Sequence, residues 1–147
     1  MLITNPITTS ELVFPIAEVF HIAGFAVAIG TTAIVDFRIL GFIPLQQTPS
    51  QIAKSTSWWM LGGLLVAIFS GLELYSSDPD MYYTNWSFLI KIACLITVIA
   101  LNYTVHRKAV AAEGATGSAK AVAWVSLILW AAVIFGGIFI AFIRGGL

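Results

Sequence analysis

Charged side chains are scarce in this sequence. Only 10% of the 147 residues are Asp, Glu, Lys or Arg, whereas a soluble domain carries about 25%. The seven basic and seven acidic residues cancel, so the charge balance indicates no acidic partner. This composition excludes an ordinary soluble enzyme, a nucleic-acid-binding domain and a disordered chain.

Cysteine and histidine are also scarce. The single cysteine, Cys94, excludes an internal disulfide. Two histidines and one cysteine are too few for a closed zinc site with four protein ligands. Three methionines that form no cluster with histidine do not favour a copper site. The sequence has no Walker loop, no H-E-x-x-H and no C-x-x-C-H motif.

Four apolar segments dominate the sequence instead. Their lengths are near or above the roughly 20 residues that a helix needs to cross a bilayer. They cover about residues 12–43, 58–75, 86–107 and 121–143. We therefore predict one all-α domain over residues 1–147, a bundle of four transmembrane helices in the lipid bilayer. Asp78-Pro79 further predicts a short surface helix that reaches Tyr83, because proline is favoured at the first helical position.

The basic residues predict the orientation of the bundle. Lys91 and Arg144 lie on one side of the four segments, and the other side carries five basic residues. These five are Arg38, Lys54, Arg107, Lys108 and Lys120. Because cytoplasmic loops carry an excess of Lys and Arg, we expect both termini outside.

Ionisable residues inside the apolar segments fall on two stripes. With about 100° between successive residues, Glu18 and Asp36 lie on one stripe of the first segment and His21 lies at its edge. The third segment has a second stripe, which consists of Lys91, Asn102 and His106. Polar residues in membrane helices usually face the interior of the bundle. The two stripes are therefore predicted to face each other.

Depth along the helices predicts which residues pair. Measured from the outer ends of the two segments, Glu18 lies about 5 Å and Lys91 about 8 Å deep at the helical rise. Asp36 and His106 both lie about 30 Å deep on the same scale. We therefore predict that Glu18 pairs with Lys91 near the outer surface. Asp36 is predicted to pair with His106 or Arg107 near the inner surface.

His21 is the strongest candidate for a cofactor ligand. Gly24 and Ala28 follow it on the next turns, where small side chains allow a flat macrocycle or another helix to approach closely. We therefore consider His21 as an axial ligand of haem b. The alternatives are a hydrogen-bonded histidine that holds helices together and a proton relay with Glu18. Depths of about 9 Å for His21 and about 30 Å for His106 disfavour one haem bound by both histidines.

Lys91 and Asn102 complete the candidate cofactor site with His21 and Gly24. Lys91 is suited to bind a haem propionate or a quinone-like head group. Its alternatives are an ion pair with Glu18 or Glu73 and a side chain that reaches the outer interface. Asn102 is also a candidate for an interhelical hydrogen bond.

Several of these residues resemble the patterns of known bacterial membrane families. The first segment contains His21-Ile22-Ala23-Gly24 and Asp36-Phe37-Arg38. The third contains Trp86, Lys91, Asn102, His106 and Arg107. This pattern resembles the HemJ-type protoporphyrinogen oxidases, the copper-resistance D-like proteins and a family of small four-helix membrane proteins whose function is not established. The resemblance covers the first three segments, and the HemJ-type pattern has a histidine where this chain has Asn102.

The resemblance implies a four-helix bundle with b-type haem on His21, and Lys91 matches a position that the HemJ-type pattern uses. The leading functional hypothesis is therefore a haem-b-binding redox or electron-transfer protein of the bacterial inner membrane. A second hypothesis is a non-enzymatic subunit of a larger membrane complex, or a homo-oligomer, in which the polar stripes form structural ion pairs. A third is a small transporter or proton-coupled carrier. The absence of interrupted helices and inverted repeats in the sequence disfavours the third hypothesis.

Overall fold

The computed structural model describes residues 12–113 and 116–142. Arg144 and the predicted end of the fourth segment at residue 143 lie outside this part of the chain. The described residues form helices and no strand. The helices are α1 (Val13–Leu40), α2 (Pro49–Ser77), α3 (Pro79–Tyr83), α4 (Trp86–Leu101), a π-helical turn (Asn102–His106), α5 (Arg107–Ala111) and α6 (Gly117–Phe139).

Four helical spans are long and apolar enough to cross a membrane. They are α1, α2, α6 and the continuous helix from Trp86 to Ala111, which we call the third span. The third span contains α4, the π-helical turn and α5. The chain is therefore an integral membrane protein with an all-α fold, as the composition predicts. The predicted short surface helix is present as α3, and the Asp78 side chain accepts a hydrogen bond from the Met81 amide at its start.

Local sequence signals set helix ends that differ from those predicted from hydropathy. The second helix begins at Pro49 rather than at residue 58, because Thr48 and Gln51 form a capping box. The first helix ends at Leu40, since Gly41 takes a left-handed conformation with φ 81°. The last helix begins at Gly117 with a Thr116 cap, and the third span continues to Ala111.

The interfaces between the spans differ in extent. The most extensive interface joins α1 to α2, while α6 packs against both α1 and α4. The contact between α2 and the third span is smaller. It is formed at α5 and by the Tyr75 ring of α2, which stacks on the Phe88 ring of α4 with centroids 5.7 Å apart.

The two ends of the bundle differ in charge. We call the end with Arg38, Lys54, Arg107, Lys108 and Lys120 the basic end. The opposite end, which holds Glu18, Glu73, Asp78 and Asp80, is called the acidic end. An apolar cluster that includes Ile39, Ile52 and Val110 packs the basic end, and a second cluster around Ala28, Val98 and Trp130 packs the middle of the bundle.

Close contact between glycines permits the α1–α2 interface. A Cβ atom at Gly24 would lie 2.7 Å from the Gly63 carbonyl oxygen and from the Ala67 backbone nitrogen. A Cβ atom at Gly63 would in turn lie 2.7 Å from the Gly24 carbonyl oxygen. Since these atoms belong to backbones, neither helix can adjust by moving a side chain. Membrane helices use small residues in this way to bring their backbones together.

We expect Gly24→Ala to separate α1 from α2 and to lower the free energy of unfolding by about 1–3 kcal/mol, as overpacking does elsewhere. Thermal unfolding in detergent measures the effect. Gly30→Ala is the matched control on the same helix, because no neighbouring atom lies within 4 Å of the Cβ position there. Equal melting temperatures for the two variants would contradict the argument.

Candidate functional site

A buried contact between Asp36 and His106 links α1 to the third span. His106 Nε2 lies 2.6 Å from Asp36 Oδ1, and the carboxylate is completely buried. Because Asp36 is the acceptor when it is ionised, His106 carries its proton on Nε2. This is the pairing that equal depth predicts. Arg107, the alternative partner, is exposed at the next position.

A second contact places Lys91 against His21 and not against Glu18. The predicted Glu18–Lys91 ion pair is wrong, since Asp36–His106 is the one ion pair found among the described residues. Lys91 Nζ lies 3.1 Å from His21 Nε2 and 5.1 Å from the centre of the Phe25 ring. Lys91 also packs against Gly136 and Gly137 of α6. Glu18 is instead exposed.

The charge of Glu18 affects the pKa of the Tyr82 hydroxyl in α3, which lies outside the membrane spans. Burial of the Tyr82 ring raises the pKa of its hydroxyl above the usual value of 10.0. The negative charges of Glu18 and then Asp78 raise this pKa further. Glu18 is thus part of the acidic end and not of the polar contacts inside the bundle.

Both ring nitrogens of His21 are engaged. The Ala67 carbonyl lies 2.8 Å from Nδ1, so Nδ1 carries the proton and donates to it. Nε2 is then the acceptor for the Lys91 ammonium, which can only donate. The edge of the His21 ring packs against Phe25 with centroids 4.9 Å apart. A Cβ atom at Gly71 would lie 2.8 Å from His21 Cε1, which shows how closely α2 encloses the ring.

These contacts do not fit a haem on either histidine. Nδ1 lies on the side of the imidazole ring that is nearer the backbone, so a porphyrin bound there would collide with the helix that carries the histidine. Nε2 is therefore the nitrogen available to a haem iron. In His21 this atom accepts from Lys91, and in His106 it donates to Asp36. Gly24 also leaves no space for a macrocycle, because Gly63 and Ala67 fill the volume beside it.

A cavity of about 480 Å³ lies between α1, α2 and the third span, toward the basic end. The π-helical turn and the first residue of α5 contribute Asn102, Tyr103, His106 and Arg107 to its wall. Lys54 and Met60 face them from α2. No carboxylate occurs among the described residues that line the cavity. It is therefore a cationic site beside the buried Asp36–His106 pair.

The structure thus divides the predicted cofactor site into two places. His21, Gly24 and Lys91 lie toward the acidic end, where they pack helices together. Asn102 lines the cavity at the other end of the bundle. Lys54 was not predicted as a site residue, because its charge and position indicate only the orientation of the bundle. The π-helical turn, a feature that is frequent at functional sites, was not predicted either.

Comparison of the chain with family models, curated proteins and solved structures gives no match. The resemblance to HemJ-type and copper-resistance D-like proteins therefore stays a prediction from the sequence.

Removal of one partner from the Asp36–His106 pair should be strongly destabilising. We expect His106→Leu to lower the free energy of unfolding by roughly 3–5 kcal/mol, because it leaves a buried carboxylate without its donor. The double variant Asp36→Leu/His106→Leu should recover part of this loss. Unfolding in detergent of the wild type, both single variants and the double variant gives the coupling energy. Additive losses would contradict a direct interaction.

A test of the haem expectation is the visible spectrum of purified protein after supplementation with haem. We expect no Soret band that depends on His21, since Lys91 holds the nitrogen that an iron would bind. His21→Ala is the comparison variant. A Soret band in the wild type that is lost in His21→Ala would contradict our assignment of the ring nitrogens.

Proposed function

We propose that the protein binds an amphipathic organic acid, a molecule with one anionic head group and an apolar chain, in the cavity at the basic end. This proposal depends on the positive charge of the cavity wall. Lys54 and Arg107 line it from opposite sides, and no carboxylate occurs among the described lining residues. Cationic side chains without acidic partners favour the binding of an anion.

The hydrogen-bond donors in the wall support an oxygen-rich head group. Thr31, Thr56 and Ser57 donate their hydroxyl protons to carbonyls of their own helices. Their protons are therefore not available to a ligand. Asn102 Nδ2, by contrast, is buried and has no acceptor among the described residues. Together with Lys54 and Arg107, it provides donors on two helices that face a common space.

The shape of the bundle supports an apolar chain on the same ligand. The cavity lies between α1, α2 and the part of the third span formed by the π-helical turn and α5, and it is partly open to the outside of the bundle. Val35, Met60 and Val110 provide apolar surface beside the polar wall. A volume of about 480 Å³ lies within the range of roughly 300–1,000 Å³ typical of small-molecule sites. A single-chain acid from the membrane satisfies these conditions.

Binding of radiolabelled oleate to the immobilised protein in a neutral detergent tests the proposal. We expect saturable binding, and we expect Lys54→Gln and Arg107→Gln each to weaken it about tenfold. That factor corresponds to the loss of one hydrogen bond to a charged group. Methyl oleate, which lacks the charge, should compete poorly.

Lys108→Gln is the matched control for this experiment. Lys108 follows Arg107 on α5 and carries the same charge at the basic end, but it is exposed and does not line the cavity. Its substitution should leave oleate binding unchanged. Equal loss in Lys108→Gln and Arg107→Gln would indicate a general effect of surface charge. Equal competition by oleate and methyl oleate would contradict an anion site.

A further inference from the structure

Four buried polar atoms have no hydrogen-bond partner among the described residues. They are Asp36 Oδ2, Asn102 Nδ2, Ser126 Oγ and Trp130 Nε1. Each of the four residues is more than nine-tenths buried, and Trp130 is only 1% exposed. Buried polar groups in native proteins nearly always have partners, and those that lack one within the protein commonly bind water.

These four residues belong to one junction of α1, the third span and α6. The Ser126 hydroxyl lies close enough to the Asp36 carboxylate to interact with its charge, but too far away for a direct hydrogen bond. Trp130 follows Ser126 by one helical turn. Asn102 precedes His106, the partner of Asp36, within the π-helical turn. The Trp130 ring packs in the same cluster as Val98, which lies one turn before Asn102. Asn102 and Trp130 thus each lie one helical turn, about 6 Å at the helical rise, from the level of Asp36 and Ser126.

The chemistry of the four atoms restricts what can bind them. Asn102 and Trp130 offer N–H donors, which cannot coordinate a cation. Asp36 offers a carboxylate oxygen, which repels an anion, and Ser126 offers a hydroxyl oxygen. A neutral molecule that both donates and accepts hydrogen bonds satisfies all four atoms. Water is the smallest molecule that does so, with two donors and two acceptor positions.

We propose that the junction of α1, the third span and α6 holds buried water that bridges Asn102, Trp130, Ser126 and Asp36. Asn102 also lines the cavity at the basic end, so the water enters from there. The proposal does not depend on oleate binding, because it requires only an open cavity. It predicts a hydrated polar branch that extends from the cavity to the interior of the bundle.

The indole of Trp130 provides a direct probe of this water. The other four tryptophans (Trp58, Trp59, Trp86 and Trp124) are exposed on the outside of the bundle. Replacement of all four by phenylalanine leaves Trp130 as the single tryptophan. Ultraviolet resonance Raman spectra then report whether its N–H is hydrogen-bonded. Transfer to heavy water reports how fast that N–H exchanges.

We expect a hydrogen-bonded indole whose N–H exchanges at least tenfold faster than the backbone amides of α6 around it, because water reaches it without unfolding. Asn102→Leu and Ser126→Ala should each shift the Raman marker toward a weaker hydrogen bond. Ile128→Ala, at an exposed position of α6, is the matched control and should leave the marker unchanged.

Three results would overturn the proposal. The first is a Raman marker typical of an indole N–H without an acceptor. The second is an N–H that exchanges as slowly as the core amides, which would indicate a dry bond to a protein group. The third is a marker that neither Asn102→Leu nor Ser126→Ala moves. Ser126→Ala removes a single oxygen atom, so it keeps the test decisive if Asn102→Leu fails to fold.

Discussion

The hydrogen bond between His106 and Asp36 is the interaction on which the basic half of the bundle depends. The carboxylate is completely buried and lies 2.6 Å from the imidazole. Transfer of an ionised carboxylate out of water costs several kcal/mol unless a partner compensates for it. The third span must therefore place His106 beside Asp36.

Two side-chain contacts thus connect α1 to the third span across the bundle. The Asp36–His106 contact does so toward the basic end, and the Lys91–His21 contact does so toward the acidic end. Both contacts are made between side chains, whereas the backbones of α1 and α2 meet at the glycines at positions 24 and 63. Tyr75 and Phe88 stack between α2 and the third span at the acidic end, so the space that remains between these helices lies toward the basic end. The cavity is part of that space.

The sequence predicts the fold and one of the two contacts for identifiable physical reasons. The apolar segments and the sparse charge are sufficient to predict four spans. Equal depth is sufficient to predict the contact between Asp36 and His106. The prediction that Glu18 pairs with Lys91 is wrong because it gave opposite charge more weight than similar depth. His21 and Lys91 differ in depth by only about 1 Å at the helical rise, so the depth scale already favoured that contact. No residue pattern in the third segment predicts the π-helical turn from Asn102 to His106.

An excess of Lys and Arg at one end is common among membrane proteins. That tendency is sufficient to explain Lys108 and Lys120, which are exposed and do not line the cavity described above. It does not explain why Lys54 and Arg107 share a cavity with the unpartnered amide of Asn102. Nor does it explain why the nearby carboxylate of Asp36 is kept out of the cavity wall. His106 accounts for the second point: its ring lines the cavity while its Nε2 binds Asp36, so an imidazole separates the buried negative charge from the space that the cations face.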